Sequence, residues 1–256
     1  MRGMLFAAGF GLALGMVSAQ AADLPVKARP VPVAPVIDWS GFYFGGHAGY
    51  QWADVHDTTL AGYVGDSTVK NGVVGGHAGF QWQFARNQWG SFVLGVEGSY
   101  TTPFERNNVA NFTFCANPAF LCGLTNIFDL WTVGGRAGVA FDRFLITASG
   151  GYANGLMARA DFLPTTGRLN VGGGQSFERH GGYYAGAALE YMFWRLTPLN
   201  VDVIAGIDYK HVWLDAQGDL DFNGTVHTLS SQMDMVTGRL TFKFNPLGSA
   251  AVVAKY

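Results

Sequence analysis

Residues 45–52 read Gly-Gly-His-Ala-Gly-Tyr-Gln-Trp and residues 75–82 read Gly-Gly-His-Ala-Gly-Phe-Gln-Trp, two near-copies of one octapeptide thirty positions apart. Small or aromatic residues hold one parity (Ala48, Tyr50, Trp52; Ala78, Phe80, Trp82). Histidine, glycine and glutamine hold the other (His47, Gly49, Gln51; His77, Gly79, Gln81). Side chains that alternate with a period of two stand on opposite faces of a β-strand. The apolar parity carries the larger rings, and glycine crowds the polar parity. This predicts a wall that is greasy outside and wet inside, as in a membrane β-barrel.

Eight segments from Trp39 onward alternate in this way: about 40–53, 70–84, 91–102, 127–141, 143–160, 179–194, 200–214 and 233–244. Their connections are unequal. Short ones run Ala85–Gly90, around Asp142-Arg143, and Arg195–Asn200. Long ones run Asp54–Val69, Pro103–Asn126, Asp161–Glu178 and Asp215–Gln232. Outer-membrane barrels have tight periplasmic turns and long outward loops. A ten-stranded alternative would put Asn108–Phe114 in a further hairpin. Aromatic residues gather at the segment ends: Trp39, Phe42, Phe84, Trp89, Phe92, Phe141, Phe144, Phe193 and Trp194 by the short connections, and Trp52, Tyr100, Tyr209 and Trp213 by the long ones. These predict two interfacial girdles. The expected fold is all-β, an eight-stranded antiparallel up-and-down barrel.

Only 13% of the chain is charged, against about 25% in soluble domains. The net charge of −2 suggests no nucleic-acid partner. Arg2, the apolar run Met4 to Val17, and Ala19-Gln20-Ala21 read as a cleaved signal peptide over 1–21. Pro25, Pro30, Pro32 and Pro35 make 22–38 an extended periplasmic linker. The barrel is expected over 39–244, with 245–256 as a C-terminal tail.

The lipid-facing parity carries no charge. It includes Phe42, Phe44, Ala48, Tyr50, Val74, Ala78, Phe80, Leu94, Val96, Trp131, Val133, Leu189, Val201, Val203, Ile207, Val236, Leu240 and Phe242. The opposite parity carries His47, Gln51, His77, Gln81, Gln83, Ser99, Thr132, Thr147, Ser149, Tyr184 and Thr241, together with eight charges. Glu97, Glu190, Asp202 and Asp208 oppose Arg136, Lys210, Arg239 and Lys243. Buried charges are tolerable only when paired and hydrogen-bonded, so equal numbers predict an internal network that fills the lumen. An eight-stranded barrel is barely wide enough for its own side chains. Glycines such as Gly45, Gly75, Gly79, Gly134 and Gly186 leave room for the long ones. No wide pore is expected.

Cys115 and Cys122 sit seven apart in one long loop. An oxidising compartment favours a disulfide, with free thiols the alternative. They offer too few ligands for a metal. His47 and His77 hold matching places and could ligate a metal or haem, but read first as polar members of the interior. His211 lies on the outward parity. There it resembles lipid A deacylases, whose motif has Ser two residues on; this chain has Trp213. No catalytic residue and no cofactor is assigned.

Asp38-Trp39-Ser40-Gly41-Phe42-Tyr43 with Gly45-Gly46-His47-Ala48-Gly49-Tyr50, Ala22-Asp23-Leu24-Pro25, Thr132-Val133-Gly134-Gly135-Arg136-Ala137-Gly138 and Thr237-Gly238-Arg239-Leu240-Thr241-Phe242-Lys243-Phe244 carry a resemblance. The mature chain resembles the small outer-membrane β-barrel, porin-family proteins of alphaproteobacteria, which share the OmpA-like barrel domain. The resemblance implies a non-enzymatic envelope protein in the Gram-negative outer membrane. Its implied partners are outer-membrane lipid and lipopolysaccharide, the barrel-assembly machinery during insertion, and a surface ligand reached through the loops. Porin activity or haemin binding, reported for some members, is the alternative. Assembly machinery reads an aromatic strand end in such proteins; Phe244 fits that role, and Tyr256, at the end of Val252-Val253-Ala254-Lys255-Tyr256, is the alternative.

Overall fold

A computed structural model describes residues 37–59, 64–87, 90–104, 122–163, 168–169, 176–196, 199–220 and 226–244. The predicted signal peptide, most of the linker, Trp89, Asn108–Phe114, Cys115 and the tail after Phe244 lie outside them. The strands are β1 (Gly41–Thr59), β2 (Val64–Asn87), β3 (Gly90–Pro103), β4 (Cys122–Phe141), β5 (Phe144–Leu163), β6 (Arg168–Leu169), β7 (Ser176–Leu196), β8 (Val201–Leu220) and β9 (Val226–Phe244). Eight of them form an antiparallel ring in the order β1-β2-β3-β4-β5-β7-β8-β9, and β9 pairs back onto β1. The two-residue β6 folds onto the end of β5. The ring therefore closes with eight strands, not ten.

Pairing of β1 with β2 explains the duplicated octapeptide. Gly46 lies opposite Gly76, and around that centre Gly45 faces His77 and His47 faces Gly75. Two copies of one sequence, run antiparallel, give a local two-fold arrangement in which each histidine lies across from the other copy's glycine.

The strands are much longer than the segments read from alternation. β2 has 24 residues, whereas about 9–11 tilted residues cross a bilayer. The loops expected at Asp54–Val69 and Asp215–Gln232 are largely paired ribbon: Asp54 faces Thr68, Thr58 faces Val64, and Leu220 faces Val226. Cys122 likewise begins β4 instead of lying in a loop. The polarity of the pleat explains the difference. Up to Trp52 the apolar side chains point out and the polar ones in. Beyond it Ala53 and Val55 are buried inside while Asp54 and His56 are exposed. The same inversion occurs on β2 (Val69 inside, Lys70 outside), on β8 (Val212 inside, His211 on the outer face) and on β9 (Met233 inside, Gln232 outside). The backbone continues unbroken while its two solvents change places.

Phe42, Phe44, Phe80, Leu94, Val96, Trp131, Val133, Tyr183, Leu189, Ile207 and Leu240 are exposed on the outer wall, on the parity predicted to face lipid. Val201 and Val203, assigned to the same face, are instead buried. They face Leu196 and Trp194 on β7 and Phe244 and Phe242 on β9. β7 shifts register between Met192 and Trp194, and large neighbours flank the two valines on both sides.

Among the described residues, each of the three tight connections carries one non-glycine residue at positive φ: Ala85 (48°), Asp142 (52°) and Asn200 (54°). Asp and Asn tolerate this left-handed region, and alanine does not, at about 1–2 kcal/mol. Ala85→Gly is accordingly expected to stabilise the folded barrel by about 1 kcal/mol, the gain reduced by glycine's extra chain entropy. Urea titration followed by tryptophan fluorescence checks it; an unchanged or lower midpoint contradicts the assignment.

Candidate functional site in the barrel interior

The interior is built in three tiers. Nearest the tight turns, Trp39, Val93, Ala140, Leu145, Met192 and Ile204 form a buried apolar layer, with Ile37 packed against it. Trp39 is fully buried, with its indole Nε1 donating to the Asp142 carbonyl at 3.1 Å. It is therefore no girdle residue, contrary to its position in the sequence. The segment before β1 turns inward, and the ring caps the tube. Gln81 Nε2 donates to the Trp39 carbonyl at 2.7 Å, and the Trp39 amide donates to Gln83 Oε1 at 2.6 Å, fixing the cap.

The middle tier is charged. All eight residues named from the sequence are buried, but they form two groups instead of one network. Glu97 sits at the centre of the larger. Arg136 Nη1 lies 3.0 Å and Arg239 Nη2 2.7 Å from Glu97 Oε2, while Lys210 Nζ lies 3.8 Å from Oε1. Arg136 Nη2 donates to Glu190 Oε2 at 2.7 Å, and Arg239 Nε lies 3.3 Å from Glu190 Oε1. Asp208 lies 3.4 Å from Lys210 and 3.8 Å from Arg239. Three carboxylates thus meet three cations. The second group lies below the middle tier, at the level of the apolar layer beside the tight turns: Asp202 pairs with Lys243 at 3.0 Å and accepts from Arg195 Nε at 2.5 Å. Lys243, wholly buried, also donates to the carbonyls of Asp38 (2.6 Å) and Ser40 (3.2 Å). It ties the segment before β1 to β9.

Two members were not identifiable from alternation alone. Tyr43, between Phe42 and Phe44, was assigned to neither face; its odd number, shared with His47 and Gln51, was the signal. Its hydroxyl donates to Glu97 Oε2 at 3.0 Å and accepts from Arg136 Nη1 at 3.1 Å, and the Arg136 guanidinium stands 5.4 Å from its ring centre. Arg195 was placed in a turn and instead closes the pair with Asp202.

His47 and His77 meet above Glu97 with their Nδ1 atoms 3.4 Å apart. His47 Nε2 lies 2.9 Å from Thr101 Oγ1 and His77 Nε2 lies 2.8 Å from Thr241 Oγ1. All four ring nitrogens are engaged, with one Nδ1 donating and the other accepting. This leaves no nitrogen for haem or metal. Among the described residues no group of three His, Cys, Asp or Glu could hold a metal ion. Glycine makes the space: a Cβ on Gly45 would stand 2.8 Å from His77 Nε2, and one on Gly75 2.5 Å from His47 Nε2.

The upper tier is apolar again. Ala53, Val55, Val69, Val73, Ile127, Leu130, Ala153, Met157, Tyr184, Val212, Leu214, Leu229, Met233 and Met235 form one buried cluster across the ring. Gln51, Asn71, His180 and Ser231 are buried among these residues, so the polar interior expected throughout continues upward only as scattered groups.

A closed eight-strand ring, apolar outside at mid-height and charged within, is joined by one further finding. The outer membrane protein β-barrel domain model matches residues 10–232. The chain belongs to the outer membrane protein β-barrel family. Similar solved structures include neisserial surface protein A (18% identity, 80% of this chain and 98% of that one, TM-score 0.36). Others are Ail, the attachment invasion locus protein of Yersinia pestis (15%, 78% and 99%, 0.33), and the outer membrane protease OmpT from Escherichia coli (9%, 83% and 99%, 0.42). No curated protein matches the chain. In an outer-membrane barrel the tight turns are periplasmic and the long connections face outward. Trp39 then caps the periplasmic mouth, and the upper apolar tier lies toward the outer surface.

Three substitutions test this interior. Glu97→Ala strips Arg136, Arg239 and Lys210 of their shared partner and is expected to cost about 3–5 kcal/mol, the usual loss when one side of a buried ion pair is removed. Gly45→Ala meets the Leu240 carbonyl and His77 and is expected to cost about 1–3 kcal/mol. Gly46→Ala, whose Cβ meets nothing nearer than the Gly75 carbonyl at 3.7 Å, is expected to be neutral or slightly stabilising. Urea unfolding in detergent measures all three; equal effects at Gly45 and Gly46 would contradict the packing.

Proposed function

We propose that this protein is a non-enzymatic structural barrel of the outer membrane, with a lumen closed to solutes and outer ribbons available for surface contacts. Its role is envelope integrity. One observation carries the reading: the charged cluster around Glu97 lies between two mainly apolar layers that cross the tube. A narrow apolar constriction expels water, and here there are two. The charged tier between them holds three carboxylates against three cations in mutual contact, so it presents no spare charge to draw an ion through.

The outer ribbons support the second half of the reading. They stand beyond the polarity inversion as stiff paired strands. On their outer face lies a cleft of about 420 Å³ lined by Asp54, His56, Asp66, Thr68, Ser230 and Gln232. Such hydroxyl, carboxylate and amide groups suit a polar surface ligand. Lipopolysaccharide and the assembly machinery are the further partners that residence in this membrane supplies.

Planar-bilayer recording tests closure. The wild-type chain is expected to give no stable conductance steps. Trp39→Ala combined with Leu130→Ala and Met157→Ala, which thins both apolar tiers, is expected to give small, flickering ones. Stable openings from the wild type would overturn the reading in favour of a solute channel.

A further inference from the structure

The two apolar clusters of the interior are built from strand residues, with one exception. Among the described residues, Trp39 alone belongs to a cluster without lying on a strand. It arrives on a short segment, residues 37–40, that precedes Gly41, the first residue of β1. Gly41 has a φ of 135°, a conformation open to glycine and strained for any residue with a Cβ. At that glycine the chain leaves the wall and enters the mouth of the tube.

The wall holds this segment mainly by its backbone. Lys243 Nζ donates to the Asp38 and Ser40 carbonyls, Gln81 Nε2 donates to the Trp39 carbonyl, and the Trp39 amide donates to Gln83 Oε1. The Gln83 amide adds a bond to Ser40 Oγ at 3.0 Å. Groups on β2 and β9 thus grip three consecutive residues. The indole fills a pocket of Val93, Ala140, Leu145, Met192 and Ile204, and its Nε1 reaches the Asp142 carbonyl at the edge of that pocket. Backbone bonds for hold and a side-chain pocket for selectivity are the means by which proteins bind extended peptides. These bonds stand outside the β-ladder, which starts at Gly41 with Gln81 and at Phe42 with Phe244.

We infer that the floor of the tube is a binding site for an extended peptide carrying one aromatic side chain, filled by the chain's own residues 38–40, and that this tethered ligand leaves and re-enters by swinging on Gly41. An apolar pocket with one carbonyl acceptor at its edge suits a ring that bears an N–H. Departure strands no charge. Lys243 keeps Asp202 at 3.0 Å, and Asp202 keeps Arg195, whose side chain is 30% exposed. Water entering the open mouth replaces the two carbonyls. The ring loses no ladder bond, so the wall stays closed while its floor opens, in the manner of local unfolding. The upper apolar cluster still shuts the lumen. Conductance by the wild type would therefore overturn the sealed-lumen reading and leave this site untouched.

Two measurements on the full-length chain, folded in detergent, test the site. Leu145→Cys, combined with Cys115→Ser and Cys122→Ser, puts a lone thiol in the pocket behind Trp39. The folded barrel, identified by its unheated gel mobility, is expected to react slowly with sulfonatoethyl methanethiosulfonate. Lys243→Met, which keeps the indole and removes two carbonyl bonds, is expected to speed that reaction at least fivefold, and Trp39→Ala at least tenfold. Lys243→Met carries this comparison if Trp39→Ala does not fold. Reaction confined to the unfolded band, or equal rates with and without Lys243, overturns release and makes the segment a fixed part of the core. The second measurement unfolds Trp39→Ala in urea with added N-acetyl-tryptophanamide. Its midpoint is expected to rise with concentration, as for a ligand that binds only the folded state. N-acetyl-alaninamide is expected to leave it unchanged, and the wild type, whose site is filled, is expected to respond to neither. A folded Trp39→Ala barrel that the tryptophan amide does not stabilise overturns the binding site.

Discussion

The hydrogen-bond ladder between β9 and β1 is the contact on which the rest depends. Hydrocarbon offers no partner to a backbone N–H or C=O, so a spanning sheet has no tolerable edge. Register from Phe42–Phe244 to Thr59–His227 removes that edge along the whole height of the wall. Closure with eight strands then fixes the bore, and the bore dictates how it is filled. There is room for side chains and little else. The interior must be packed like a protein core, yet the middle of it is built from arginine, lysine, glutamate and aspartate.

Those charges are bearable because each is used more than once. Glu97 serves Arg136, Arg239 and Lys210, and takes a hydroxyl from Tyr43 as well. Arg136 and Arg239 each bridge Glu97 and Glu190. Sharing of this kind spreads the desolvation cost over several contacts, which a single buried pair cannot do. It also cross-links β3, β4, β7, β8 and β9 through the middle of the tube. The apolar tiers at either end keep bulk water from competing for these bonds.

How much of this was visible in the chain depends on where one looks along a strand. Between the turns and Trp52, Lys70, His211 and Asp234, alternation has one sense, and it marks both faces except where the shift in β7 and its flanking rings bury Val201 and Val203. Beyond those residues the alternation persists with its sense reversed. Asp54-Val55-His56 then reads as the end of a membrane strand, although the pleat runs on to Thr59. The upper apolar tier was hidden for the same reason: Val55, Val69 and Leu229 fall in stretches that look like loops. Trp39 was misread, and Tyr43 passed over, for a different cause. An aromatic side chain serves equally well as interfacial anchor or as plug. Composition cannot say which way the residue before the first strand turns, and Tyr43 differs from its neighbours only by parity. Arg195 sat in a nominal turn, and the pairing that buries it against Asp202 is a matter of three-dimensional register.

The Gly-Gly dipeptides show why the two faces must be considered together. In Gly45-Gly46 and Gly75-Gly76 the neighbours point to opposite solvents. Gly45 and Gly75 give up their side chains so that His77 and His47 can lie flat inside. Gly46 and Gly76 give up theirs on the lipid side. A strand's period of two lets each face be filled independently, so one face can be crowded while the other is hollowed. Packing demand on the inside explains Gly45 and Gly75 fully, since a Cβ there would strike backbone. It leaves Gly46 unexplained, because alanine would fit that position without collision. At Gly46 the lipid face alone is thinned, on a wall otherwise covered by Phe, Leu, Val and Tyr, while the interior behind it stays filled.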